Sequence, residues 1–230
     1  MEIPMAFRLI HASDLHLGRR FANIPQPPDG NIRGRLMEAR HASISRIAKV
    51  AHDRNAKHIL LAGDTFDTAT PSDSVVRQAL TAMGENADIH WWLLPGNHDN
   101  LKDAEPLWET ITRDAPANVH ALADASAVEL APKIFLFPCP VAFRSSGRDL
   151  TANLMDIPAT KGALRIGLAH GGVVDLPTAV LTFRPTETVA PGSIILRLAT
   201  GTDVSKSAIA HIIAAAPNRI GSSMDGAVSA

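Results

Sequence analysis

Between Phe7 and Leu94, three short apolar runs alternate with two segments of helical period, and each run stops abruptly at polar residues. Phe7 to Ala12, Lys57 to Ala62 and Ile89 to Leu94 read as buried strands, because each is brief, largely apolar and bounded by turn formers. From Arg35 to Arg54, Met37, Ile44, Ile47, Ala48 and Ala51 recur at the spacing of one helix face. Ser72 to Met83 is the second predicted helix, with Ser72 or Asp73 as its cap. Strand, helix, strand, helix, strand predicts an α/β fold in which a parallel sheet is built with crossover helices. Beyond Asn118 the connections shorten. Val119 to Leu122, Val128 to Leu130, Lys133 to Phe137 and Leu164 to Ala169 read as further strands.

The chemistry lies just past the strands. Ligands of open parallel sheets bind beyond the carboxyl ends of the strands. There the chain places Asp14-Leu15-His16, Gly63-Asp64-Thr65-Phe66-Asp67, Gly96-Asn97-His98-Asp99 and His170. Each piece alone is an ordinary feature. Asp-x-His and Gly-Asp are common polar turns, and a single histidine after a strand is usually a satisfied surface or core residue. Turn chemistry does not account for carboxylate, imidazole and amide groups recurring at four successive strand ends.

These residue types suit one problem. A phosphodiester is anionic and resists hydroxide. Two divalent cations ~3.5–4 Å apart can clamp it and generate the attacking hydroxide. A carboxylate can bridge both ions, while imidazole and amide groups complete the shells without cancelling all the positive charge. Mixed nitrogen and oxygen donors suit Mn²⁺, Fe or Zn better than Ca²⁺.

Composition narrows the setting. The 230 residues are 46% apolar, enough for one α/β domain or one domain with an appendage. A formal net charge of −1 neither favours nor excludes a nucleic-acid partner, so only a local basic patch can decide that. Cys139 is the single cysteine, which excludes an internal disulfide and fits a reducing compartment. Met1 to Ile10 shows no charged leader followed by an apolar run, and no apolar run approaches membrane-spanning length. The expectation is a cytoplasmic protein with no membrane contact.

The four motifs, Asp14 to Gly18, Gly63 to Asp67, Gly96 to Asp99 and Ala169 to Gly171, together resemble the successive motifs of calcineurin-like metallophosphoesterases. The stretches from Phe7 to Phe21 and from Leu60 to Asp67 are similar to the DNA repair exonuclease branch. The resemblance implies an α/β sandwich of mixed β-sheets flanked by helices, incomplete at the C-terminus. It implies that Asp14 and His16 bind one metal, Asp64 bridges both, and Asn97 and His170 bind the second. His98 would not be a ligand; it would face the phosphate and protonate the leaving oxygen or stabilise charge, oriented by Asp67 or Asp99. The alternative for Asp67 and Asp99 is turn capping. It also implies DNA as substrate, and a coiled-coil ATPase partner and a dimer in intact relatives. Two other readings remain: a phosphodiesterase or phosphatase for a small substrate, and an inactive truncated domain. Arg19, Arg20, Arg33 and Arg35, around a Pro/Gly-rich loop, are candidates for backbone phosphate contacts, or simply a solvated basic loop. Trp91 and Trp92 are expected in the core rather than stacked on bases.

The resemblance has a gap. The family closes its site with a Gly-His-x-His or Gly-Asp-x-His motif some tens of residues after the His170 motif. Here His211 is the only later histidine, and Ala210 and Ile212 beside it do not fit. After about Asp175 the chain becomes rich in Ala, Thr, Ser and Ile. Read one base out of frame with permitted codons, Ser193 through Val204 can spell Asp-Tyr-Leu-Ala-Leu-Gly-Asp-Trp-His-Gly-Cys, a strand followed by the missing motif. Ile212 to Ser222 can likewise spell Tyr-Ser-Gly-Ser-Pro-Glu-Pro-Asp-Arg-Phe. The expectation is a catalytic core over 1–174 and an out-of-frame tail over 175–230, poorly ordered or arbitrarily packed, so that each metal loses a ligand.

Overall fold

The computed structural model describes residues 7–25, 27–28, 30–144, 150–155, 157 and 162–171, together with the backbone of 193–198 and 210–214. The chain opens with β1 (Phe7–Ala12), α1 (Ile32–Asp53), β2 (His58–Ala62), α2 (Asp73–Gly84) and β3 (His90–Leu94). There follow α3 (Glu105–Asp114), β4 (Val119–Ala121), β5 (Val128–Ala131), β6 (Ile134–Cys139) and β7 (Leu164–His170). The described backbone ends with β8 (Ser193–Leu198) and β9 (Ala210–Ala214).

Two sheets result. The first has the order β4-β3-β2-β1-β9 and the second β5-β6-β7-β8. Strands β1 to β4 run parallel, as crossover helices require, and β9 adds an antiparallel edge beside β1. In the second sheet β6, β7 and β8 are parallel and β5 is antiparallel.

Side-chain alternation along the strands assigns the two faces of the first sheet. Ile10, Ile59, Leu61, Trp91 and Leu93 pack with Ile44, Ile47, Val76, Leu80 and Ile111 of the helices. Leu9, Leu60, Ala62, Trp92 and Leu94 pack instead against Leu130, Leu136, Ile166 and Leu168 of the second sheet. The first sheet is thus buried on both faces, which explains the near-continuous apolar runs that mark its strands. Both tryptophans lie in these cores, Trp91 on the helix side and Trp92 between the sheets.

Helix α3 was not among the expected elements. Leu107, Trp108 and Ile111 bury one face of it, and Pro106 sits in its first turn, where a missing N–H costs nothing. Within the anomalous tail, β8 lies parallel to β7, with Ala169 opposite Arg197 and His170 opposite Leu198. His211 lies in β9, opposite Ile10. Most of the tail, including parts of both second-frame passages, lies outside the described residues.

Candidate metal centre

Every expected ligand sits where a strand of one of the two sheets gives way to a loop. Asp14 and His16 follow β1, Asp64 follows β2, Asn97 follows β3, and His170 ends β7. The first two loops are zipped together by backbone bonds: Asp14 N donates to the Gly63 carbonyl at 3.2 Å, His16 N to Asp64 O at 2.9 Å, and Asp67 N to Leu17 O at 3.0 Å. Asp14, His16 and Asp64 all take left-handed backbone conformations, with φ of 57°, 44° and 53°. Such conformations are sparse for residues with a Cβ and accumulate at functional sites. Two glycines permit the crowding. A Cβ on Gly63 would run into the His170 ring, and one on Gly96 would run into the Asp64 carboxylate and its backbone nitrogen.

The side chains converge on Asp64. Its Oδ2 lies 3.5 Å from His170 Nε2 and 3.9 Å from His16 Nε2. His16 Nε2 is in turn 3.7 Å from Asp14 Oδ1. Among the described residues, donor atoms group into two clusters, His16 with Asp64 and His98, and Asp14 with Asp64 and His170, each spanning no more than 4.8 Å. Asp64 belongs to both. Asn97 joins through its Oδ1, 2.9 Å from His170 Nε2.

Two imidazoles are held by a hydrogen bond at Nδ1, and the Nδ1 of a third, which has no such bond, faces a carboxylate. His170 Nδ1 donates to the Ala62 carbonyl at 2.7 Å, and His98 Nδ1 to the Asp67 carbonyl at 2.8 Å. A carbonyl can only accept, so both rings carry a proton on Nδ1. The Asp67 carboxylate stands 3.2 Å from His16 Nδ1. This carbonyl or carboxylate backing, with Nε2 turned to the centre, is the usual arrangement behind metal-bound imidazole. The donor set therefore fits divalent ions. Asp14, His16, Asp64, Asn97 and His170 would hold them, and the ions would supply Lewis-acid charge to a bound phosphate.

Electrostatics point the same way. Burial alone would raise the Asp64 carboxyl, but His170, the His98 N–H at 2.9 Å and the His98 ring hold it below its ordinary value. Burial likewise opposes ionisation of Asp14, and His16 and Ser13 outweigh it, so Asp14 also moves down. Burial disfavours charge on His170, yet Asp64, the Ala62 carbonyl and Asp14 carry its pKa upward. A largely buried centre that favours ionised carboxylates at Asp64 and Asp14 offers anionic donors to a cation.

Asp67 and Asp99 have separate placements. The Asp99 side chain accepts from Phe66 N at 3.0 Å and Gly96 N at 2.7 Å, tying the loops after β2 and β3, and has no bond to His98. Burial raises its pKa to about 6 in spite of those two N–H groups. Asp67 reaches His98 through its main-chain carbonyl, while its carboxylate faces His16 and, at 3.9 Å, Arg19. Of the basic loop, Arg33 donates to the Ile24 carbonyl at 2.9 Å, and Arg20 and Arg35 are exposed.

Some neighbours had not been singled out from sequence. Arg40 donates to the Leu15 carbonyl at 2.7 Å and lies over the Phe21 ring, bracing the first motif. Trp108 Nε1 donates to the Asp99 carbonyl at 2.6 Å. Arg144 lines the cleft beside His98. Only Trp108 had a readable signal, the apolar spacing of α3.

The family of calcineurin-like phosphoesterases (Metallophos) matches residues 7–204. The chain belongs to that family, whose members are hydrolases of phosphoric esters and typically use a dinuclear metal centre. Among curated proteins it is similar to the uncharacterized metallophosphoesterase YhaO of Bacillus subtilis (strain 168), with 34% identity over 119 residues, 50% of this chain and 28% of YhaO. It is also similar to the D subunit of the nuclease SbcCD from the same organism, with 28% identity over 106 residues, 44% of this chain and 25% of that relative. The aligned part thus spans roughly a quarter of either relative. No described helix is long and apolar enough to cross a membrane.

Proposed function

We propose that this chain is a Mn²⁺-dependent phosphodiesterase of the nuclease branch, acting on DNA from either an end or an internal bond. The observation that carries the reading is the sharing of Asp64 between two donor clusters, one of which includes His98, whose Nδ1 is tied to the Asp67 carbonyl. Asp64 is assigned as the bridge. We assign Asp14 and His16 to one ion and Asn97 and His170 to the other, a pairing that crosses the two clusters, in which Asp14 stands with His170 and His16 with His98. Two cations so placed would neutralise a phosphodiester and favour hydroxide over water. The task of His98 is to hold a proton on Nε2 and pass it to the departing oxygen, while the Asp67 carbonyl keeps the ring aligned. Similarity to a nuclease subunit supports DNA as substrate, and suggests a partner subunit, an ATPase of the coiled-coil type. The single cysteine fits a cytoplasmic setting.

The division of the chain also stays part of this reading. Residues 1–174 form the catalytic core, and 175–230 are an out-of-frame continuation that does not supply the closing motif. Sequencing the genomic DNA decides it: the second frame over Ser193 to Val204 must encode the strand and Gly-Asp-Trp-His string, and any other string ends the idea.

Hydrolysis of bis(p-nitrophenyl) phosphate with added Mn²⁺ tests the activity. The expected result is turnover that disappears in His98→Ala. Turnover independent of His98 would overturn its role. No turnover here, together with activity in a frame-restored chain, would assign the chemistry to the family and the defect to the tail.

A further inference from the structure

We infer that Arg144 holds the backbone phosphate that follows the leaving nucleoside, so that the centre selects a polynucleotide over an isolated diester; the inference rests on the phosphodiesterase reading above. The cleft at His98 is lined by Asp67, Asn97, Asn100 and Asp103 among others, and Arg144 is the only arginine or lysine among its described lining residues. Its volume is about 210 Å³, on the scale of one nucleoside. In that reading His98 delivers the proton to the departing oxygen. The departing nucleoside therefore enters this cleft and carries the next phosphate with it.

The wall that carries Arg144 is pinned to the loop that carries Asn97 and His98. Val141 N donates to the Pro95 carbonyl at 3.3 Å, Leu101 N to Val141 O at 3.0 Å, and Lys102 N to Ala142 O at 3.0 Å. The last of these bonds lies two residues before Arg144, so the guanidinium swings from a fixed base beside the proton donor.

Other arginines near the centre are already committed. Arg40 donates to the Leu15 carbonyl and lies over the Phe21 ring, Arg33 donates to the Ile24 carbonyl, and Arg19 faces the Asp67 carboxylate at 3.9 Å. Arg144 is exposed and has no hydrogen bond or ion pair with any described residue. The two acids of the cleft do not take it up: Asp67 faces His16 and Arg19, and Asp103 Oδ2 accepts from Asn100 Nδ2 at 3.0 Å. An unpaired guanidinium presents a planar fork that matches two phosphate oxygens. Two bound ions would neutralise the scissile phosphate itself, which leaves Arg144 for its neighbour.

The test compares three thymidine dinucleotides in the presence of Mn²⁺: bare, phosphorylated at the 5′ end, and phosphorylated at the 3′ end. Chromatography follows cleavage of the internucleotide bond. The terminal phosphate on the leaving nucleoside should raise kcat/KM about tenfold over the bare dinucleotide. Arg144→Met should bring that ratio to one, and Arg144→Lys, with charge but no fork, should keep part of it. A second readout needs no turnover: for a labelled single-stranded oligonucleotide with Ca²⁺ in place of Mn²⁺, the slope of log Kd against log salt should fall by about 0.7 in Arg144→Met. Equal cleavage of the three dinucleotides by the wild type, or a ratio that survives in Arg144→Met, overturns the role of Arg144 and leaves the phosphodiesterase reading standing. A slope change without cleavage of any substrate supports the phosphate grip and overturns the phosphodiesterase reading for this chain. No cleavage with an unchanged slope overturns both.

Discussion

His98 Nδ1 lies 2.8 Å from the main-chain carbonyl of Asp67, so the ring is oriented by backbone rather than by a carboxylate. Replacing the Asp67 side chain therefore leaves that bond in place, whereas removing the imidazole removes the proposed proton donor. His98→Ala is expected to lower kcat for an activated diester by about 10²–10⁴-fold, with bound Mn²⁺ unchanged. Steady-state kinetics paired with metal analysis after gel filtration checks it. Loss of metal together with activity would make His98 a ligand.

Asp64 and His170 should differ in what their loss removes. Because Asp64 belongs to both donor clusters, Asp64→Asn is expected to abolish retention of both ions. His170 belongs to one cluster, so His170→Ala should lose one ion and keep the other. Mass-spectrometric metal counts per chain read this directly, and equal losses in the two variants would refute the sharing.

Gly96→Ala puts a methyl group against the Asp64 carboxylate and backbone. Neither can retreat without breaking the loop pairing, so a cost of ~1–3 kcal/mol is expected, as in other overpacked interiors. For a chain of this size that corresponds to about 2–4 °C in Tm for each kcal/mol. Thermal unfolding of the metal-free protein is the measurement, and an unchanged Tm would show that the loops yield freely.

Acid should destabilise the metal-free fold between about pH 6.5 and 4. Burial lowers His11 to about 4; burial, with His90 and His120 nearby, lowers His58 to about 4. Both bind protons more readily when unfolded, so their contribution is full above pH 6.5 and is lost as pH falls towards 4. Asp99, raised to about 6, acts with the opposite sign over the same range. Two histidines outweigh one carboxyl, leaving a net slope on the order of 1 kcal/mol per pH unit near pH 5. Denaturant titrations in EDTA at several pH values should show it, and His58→Phe should flatten it. Stability constant from pH 4.5 to 6.5 would contradict the assignment.

Much of the architecture was readable because burial leaves a mark on composition. β1 spans Phe7–Ala12 as its apolar run does, and β2 and β3 each start one residue inside theirs. Helix α1 begins at Ile32 rather than Arg35, since Asn31 Oδ1 accepts from Gly34 N and starts the helix inside a Pro/Gly-rich loop. Helix α3 escaped notice because Ala104 offers no side-chain cap and a charged segment precedes it. The candidate ligands could be placed at the strand ends they follow. Their supports could not: Ala62 O, Asp67 O and the Asp99 carbonyl under Trp108 are main-chain groups, and sequence does not announce where a carbonyl points.

β2 and its loop hold the centre from several sides at once. The same short stretch offers Asp64, the Ala62 carbonyl behind His170 and the Asp67 carbonyl behind His98. Folding of the two sheets therefore settles the orientation of the donors before any ion arrives. Metal uptake at these donors then needs little further ordering of them, with little conformational entropy left to surrender at that moment. Affinity should owe more to charge and donor chemistry than to ordering of the chain, and exchange of one divalent ion for another should leave the surrounding backbone where it stands.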